Sequence, residues 1–206
     1  MQYNLSLYLL LIALTHHLEI SMNWFTSDLH LDHKNIIRYS DRPFSDVVDM
    51  NNTIIDNINS CVSESDNLYI IGDFAFANKQ RTNELLDMIK CENKFFISGN
   101  HDKFLDDRGN TKLNFKWIKP YHEMTILHYV FILFHYPIAV WNVKHYGSIH
   151  LYGHVHNKSF DAGLPDGYMR NAFNVNCEMH NYFPISMDKI INEWYDPTVN
   201  LITKDR

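Results

Sequence analysis

Five apolar runs in this chain each stop at a residue able to bind a metal ion. Asn23-Trp24-Phe25-Thr26-Ser27 runs into Asp28, Asn67–Ile71 into Gly72-Asp73, and residues 94–98 into Gly99-Asn100. Tyr129–Phe134 runs into His135, and residues 148–152 into Gly153-His154. Short runs rich in β-branched and aromatic residues read as buried strands. In open α/β sheets, ligands bind beyond the carboxyl ends of the strands. If these five strands are neighbours, their ends converge on one patch. Side chains two apart on an extended chain point the same way, which pairs Asp28 with His30 and His154 with His156. Gly72, Gly99 and Gly153 each precede a candidate ligand, and without a Cβ they let the backbone turn tightly beside a crowded centre.

The stretches between the runs predict helices. A polar, turn-rich segment containing Arg42-Pro43-Phe44 leads to a helix with Ser45 as its N-cap. Val47, Val48, Met50, Ile54, Ile55, Ile58 and Val62 form its apolar stripe. A second helix, over residues 82–90, carries Leu85, Leu86 and Ile89. Further strands are expected at Trp117-Ile118 and over 124–127 and 172–176, and a last helix opens at Ser186 or Asp188 and runs to Trp194. Gly163, Pro165 and Gly167 mark a loop. The alternation of strand and helix gives an α/β chain with no internal repeat and no low-complexity linker.

At 206 residues the length suits one domain with a sizeable core. The net charge of -6 argues against an extended nucleic-acid surface. Cys61, Cys91 and Cys177 are scattered, without Cys-x-x-Cys spacing, so disulfide and zinc-ribbon scaffolds are disfavoured and a reducing, cytoplasmic compartment fits. Residues 7–14 are an unbroken apolar run. It is shorter than the roughly 20 residues a bilayer span needs, and it lacks both a preceding cation and a following small-residue cleavage site. Residues 1–21 are therefore expected to be a dispensable extension of a single domain over 22–206, with no membrane partner.

Two carboxylates, one amide and four neutral imidazoles around two divalent ions leave a net positive centre suited to a phosphate. Mixed oxygen and nitrogen donors without thiolate point to Mn, Fe, Zn, Co or Ni rather than Ca. Two such ions about 3.5–4 Å apart can share a hydroxide as an in-line nucleophile. Within Gly99-Asn100-His101-Asp102 the amide is a candidate ligand and the adjacent imidazole a candidate proton carrier at neutral pH.

At Asp28-Leu29-His30, Gly72-Asp73, Gly99-Asn100-His101-Asp102, His135 and Gly153-His154-Val155-His156 the sequence resembles the calcineurin-like metallophosphoesterase superfamily. The resemblance spans about residues 22–160. His33-Lys34-Asn35-Ile36-Ile37, Arg42-Pro43-Phe44 and Asn181-Tyr182-Phe183-Pro184-Ile185-Ser186 look like its small single-domain bacterial and phage phosphoesterases. The resemblance implies two mixed β-sheets packed face to face as a sandwich with helices outside. It implies Asp28, His30 and His156 on a first metal ion, Asn100, His135 and His154 on a second, and Asp73 bridging both, with manganese the leading candidate. His101 would protonate the leaving oxygen, and Asp102 would orient it.

Around that set, Arg42, Lys34 and His33 are candidates to contact a phosphate, while Tyr136, Trp141, His145 and Asn157 are candidates to shape the pocket. His150 reads as a satisfied core imidazole. The expected function is hydrolysis of a phosphodiester or phosphomonoester, small or nucleotide-like. A nuclease, a phosphoprotein phosphatase and a non-catalytic scaffold of the same fold are the alternatives.

Overall fold

A period of two along the first three strands sorts their side chains onto two cores. Strands β1 (Asn23–Thr26), β2 (Asn67–Ile71) and β3 (Asn93–Ile97) turn Leu68, Ile70 and Phe96 towards the helices. Phe25, Tyr69, Ile71 and Ile97 point the other way, onto Phe131, Leu133, Ile149 and Leu151 of a second sheet. The result is two mixed sheets face to face. The first has the order β4-β3-β2-β1-β9, with β4 at Trp117–Lys119 and β9 at Ile185–Ser186. Its pairings are parallel except for β1 with β9. The second has the order β5-β6-β7-β8: Tyr121–Ile126, Tyr129–Phe134, Ile149–Tyr152 and Ala172–Asn174, with only β5–β6 antiparallel.

This computed structural model describes residues 21–158, 164 and 167–198. The expected extension lies outside these residues except for Ser21, as do Gly163 and Pro165. Among the described residues, no helix is long and apolar enough to cross a membrane.

Helices α1 (Lys34–Tyr39), α2 (Val47–Cys61) and α3 (Lys79–Met88) pack on the outer face of the first sheet through Ile36, Met50, Ile54, Ile58, Leu85 and Leu86. The N-cap of α2 is Asp46 rather than Ser45. Its carboxylate accepts from the backbone N–H of both Val48 and Asp49, which a serine hydroxyl does less well. Ser45 instead donates to Asp49. Val48 is 61% exposed and does not belong to the apolar stripe. Helix α3 begins three residues before the expected start, because Asn78 caps it by accepting from Arg81 N. Ser186 caps the last helix, α4 (Met187–Lys189), which widens into a π-helical turn over Ile190–Trp194. The outer face of the second sheet is covered instead by the loop after β6. There Trp141 lies 5.3 Å from the ring of His150, and Ile138 N donates to His150 Nε2.

Beyond Thr26 the chain leaves the first sheet and bonds to the segment that follows β8 of the second. Ser27 N donates to Val175 O at 3.1 Å, and Cys177 N donates to Ser27 O at 3.1 Å. This seam brings the carboxyl ends of the two sheets to one place.

Candidate metal centre

All seven predicted ligands meet at that seam. The loops after β1 and β2 run side by side, with Asp28 N donating to Gly72 O (3.0 Å) and His30 N to Asp73 O (2.9 Å). The loops after β6 and β7 are tied by Gly153 N donating to His135 O (2.9 Å). His154 N donates to both oxygens of Asp28, at 3.0 and 3.1 Å, so the two pairs of loops are clamped across the sheets.

The ligand backbones are not extended. Asp28, His30, Asp73, His154 and His156 sit at φ 55°, 51°, 54°, 69° and 53°, in the left-handed region. Asp28 and His30 therefore lie together because of successive left-handed turns, not because they alternate along a strand. His154 and His156 separate: His154 Nδ1 is 3.0 Å from Asn100 Oδ1, while the ring of His156 stacks 5.2 Å from that of His30. Left-handed backbone costs an L-residue roughly 1–2 kcal/mol, least for short polar side chains. Gly72 also has positive φ, at 85°, and a Cβ there would strike the His135 ring. A Cβ at Gly99 would strike Asp73, and one at Gly153 would strike Asp28, so both positions are small for want of space.

Among the described residues, two groups have the spacing to hold a metal ion: Asp28, His30 and His156, and Asp28, Asp73 and His135, each with donor atoms within 4.8 Å of one another. Asp73 Oδ2 lies between them, 3.5 Å from His30 Nε2 and 3.4 Å from His135 Nε2. Asn100 Oδ1 is 3.2 Å from His135 Nε2, which adds the amide to the second group. His30 Nε2 is buried beside carboxylates without a hydrogen-bond partner among the described residues. Such an orphan among oxygen and nitrogen donors fits a divalent cation of the Mn-to-Zn series.

Burial pushes the Asp28 carboxyl up. Burial also pushes His30 down to about 2, so its contact with Asp73 is not an ion pair. Burial would raise Asp73, but the hydrogen bond and charge of His135 outweigh it and hold the carboxyl down to about 2. Burial likewise lowers His135, and Asp73 and Asp28 overcome that, pushing it up to about 9. The centre therefore gathers two buried carboxylates that already seek positive charge.

The ring of His101 lies at the lip, 5.3 Å from that of His30, and its backbone N donates to Asp73 Oδ1 at 2.9 Å. Asp102 does not orient it. Both Asp102 oxygens are spent on backbone N–H groups, Oδ2 on Gly99 and Asp73 and Oδ1 on Phe74. Adjacent residues on a tight turn splay apart, and this carboxylate braces the loops instead. Burial pushes it up to about 6.

Arg42 is also not a phosphate contact, because its side chain is fully buried. Its nitrogens donate to Glu178 Oε1, Leu29 O and Asp28 O, each at 2.8 Å. Lys34 lines a neighbouring groove with Arg38 and Asp46, away from the ligands. His33 does sit at the lip, stacked on Phe76 and 6.3 Å from His101. Asn157 lines a cleft of about 590 Å³ with Tyr39, Ser40, His154 and His156. Tyr136 lies 4.5 Å from His154. Trp141 and His145 are not pocket residues: they belong to the loop over the outer face, Trp141 bonded to Ser148 and His145 against Tyr146. His150 is a satisfied core imidazole, with Nδ1 3.1 Å from Ile132 O. The residue missed from sequence is Glu178, whose Oε1 is 2.9 Å from His156 Nδ1. It stands two residues past the strand expected over 172–176 but belongs to none of the motifs, and its contact with His156 is visible only in the fold.

No protein-family model matches the chain. Among solved structures, a protein of unknown function, AQ665 from Aquifex aeolicus, superposes with a TM-score of 0.66 at 26% identity, covering 83% of this chain and 98% of that one. Yfce, a phosphoesterase from E. coli, gives a TM-score of 0.36 at 17% identity over 75% and 77% of the two chains, which is too slight to carry an argument. In sequence, the chain is 35% identical over 170 residues to Uncharacterized protein MJ1445 of Methanocaldococcus jannaschii, covering 82% of this chain and 88% of the relative. At that identity and coverage, the chain belongs to the family of the Methanocaldococcus jannaschii protein.

Proposed function

We propose that the protein is a metal-dependent phosphoester hydrolase of the calcineurin-like metallophosphoesterase type. The observation that carries this reading is the pair of donor groups, Asp28/His30/His156 and Asp28/Asp73/His135, meeting at the ends of strands from both sheets. In this reading Asp28, His30 and His156 hold one ion, Asn100, His135 and His154 a second, and Asp73 faces both. The ions, when bound, supply positive charge for the phosphoryl oxygens and acidify a water molecule.

The rest is the work of the chain. The clamp from His154 N to Asp28 and the brace from Asp102 to the Gly99 and Asp73 loops keep the donors in place before substrate arrives. The ring of His101 makes no hydrogen bond among the described residues and stands at the open side of the donors. That leaves it free to give a proton to the leaving oxygen as the phosphorus–oxygen ester bond breaks. The cleft beside His154 and His156, with Tyr39 and Asn157 in its walls, has room for a leaving group of nucleotide size.

The test is turnover of bis-nitrophenyl phosphate, cyclic nucleotides, phosphomonoesters and single-stranded DNA by manganese-loaded protein, alongside elemental analysis. Metal-dependent turnover of an ester supports the reading. Bound metal with no turnover of any ester would make the fold a binding scaffold, and no bound metal would overturn the reading.

A further inference from the structure

The buried contacts of Glu178 go beyond what an ion pair with Arg42 requires. Its backbone is pinned in the turn Cys177–His180, where its N–H donates to Asn176 Oδ1 at 2.8 Å. One oxygen, Oε1, accepts from Arg42 Nε at 2.8 Å and also faces His156 Nδ1 at 2.9 Å. The other, Oε2, is buried with no hydrogen-bond partner among the described residues. A carboxylate placed only to neutralise an arginine gains most from a two-pronged pairing that satisfies both oxygens. Here the remaining nitrogens of Arg42 go to the carbonyls of Asp28 and Leu29, and Glu178 turns one oxygen to the histidine and leaves the other bare. Leaving it so is costly, and the arrangement gains a fixed imidazole in return.

A carboxylate accepts hydrogen bonds and donates none, so His156 Nδ1 carries the proton. In the neutral ring the lone pair is then on Nε2. Ser40 Oγ also lies near Nδ1, at 3.3 Å, but the shorter contact to a charged acceptor dominates. Arg42 meanwhile grips the backbone from which Asp28 and His30 project, so one buried guanidinium ties all three members of the first donor group together.

We propose that Glu178 is a positioning residue that fixes His156 as its Nδ1–H tautomer and reserves Nε2 for a divalent cation held with Asp28 and His30. The proposal rests on the metal-binding reading above, but its first test does not depend on it. In the metal-free wild-type protein at pH 9, long-range nitrogen–proton NMR correlations should show His156 as the Nδ1–H tautomer. An Nε2–H tautomer would overturn the proposal whatever the protein hydrolyses.

The second test titrates Mn²⁺ into wild type, Glu178→Gln and Glu178→Ala by calorimetry. Outer carboxylates of this kind are worth about 10–100-fold in metal affinity. One of two equivalents should weaken by that factor in Glu178→Ala and by less in Glu178→Gln, whose amide oxygen still accepts from Nδ1–H. Equal weakening of both equivalents, or no change in either, would reduce Glu178 to a counter-ion of Arg42. A wild-type protein that takes up no Mn²⁺ would instead count against the hydrolase reading, with the tautomer measurement still standing.

Discussion

The two sheets bring opposite chemistry to one seam. The ends of β1, β2 and β3 carry oxygen donors, Asp28, Asp73 and Asn100, and the ends of β6 and β7 carry nitrogen donors, His135, His154 and His156. His30 is the one candidate imidazole ligand on the oxygen side, with His33 and His101 beside it at the lip. The contacts that shape the centre cross between the sheets: Asp28 with His154 N, Asp73 with His135, and Asn100 with His135 and His154. Neither sheet alone carries a complete donor set. The lesson is that the centre is a product of docking: it exists only once the core between the sheets, from Phe25 and Ile71 to Leu133 and Leu151, has closed.

On the proposed reading, in which Asp73 on the oxygen side would serve two ions, its loss should be the most damaging. Asp73→Ala should remove both equivalents of metal by elemental analysis and abolish turnover, whereas His135→Ala should remove one. Retention of two equivalents in Asp73→Ala would break the contrast. Next in size, His101→Ala should cut turnover of esters with alkyl leaving groups by about 10²–10⁴-fold and of nitrophenyl esters far less. Equal losses on both would remove His101 from proton transfer.

The nitrogen-bearing sheet can be probed away from the centre at His150. Burial pushes this ring down to about 4, against 6.5 for an ordinary histidine. The unfolded chain therefore takes up the proton first. Stability should be full above about pH 6.5 and fall as pH drops to about 4, by about 3 kcal/mol from this group alone. Denaturant midpoints in His150→Gln should show a flatter decline over that window, and an unchanged slope would disprove the assignment. Smallest is the seam itself. Gly72→Ala forces a Cβ against His135 at positive φ and should cost about 1–3 kcal/mol by urea unfolding. Gly109→Ala, in an exposed loop, should stay within about 0.5 kcal/mol. Equal costs would mean the two sheets do not press together at Gly72.

The candidate donors were legible in the sequence because five of the seven stand where an apolar run ends and His30 and His156 follow two residues later, and strand ends in such sheets are where polar side chains gather. What was not legible depends on contacts between distant segments. Helix α1 is six residues long and buries only Ile36, so no apolar stripe announces it. Arg42 follows a polar turn and reads as exposed, yet three acceptors from other segments keep it buried. Asp102 adjoins His101 in sequence, but its oxygens are taken by Gly99 of its own turn and by Asp73 and Phe74 of the loop after β2. Glu178 becomes part of the centre only through a turn bonded to Ser27.

The left-handed backbone at positions 28, 30, 73, 154 and 156 sets an evolutionary boundary that does not depend on the reaction. At such dihedrals asparagine, aspartate, histidine and glycine are tolerated, and valine, isoleucine and threonine are penalised. A library selected for folding alone, blind to turnover, would still be depleted of branched residues at these five sites. Descendants released from selection on whatever chemistry the centre performs would therefore drift toward asparagine and glycine there, and would keep the outline of the centre long after losing its use.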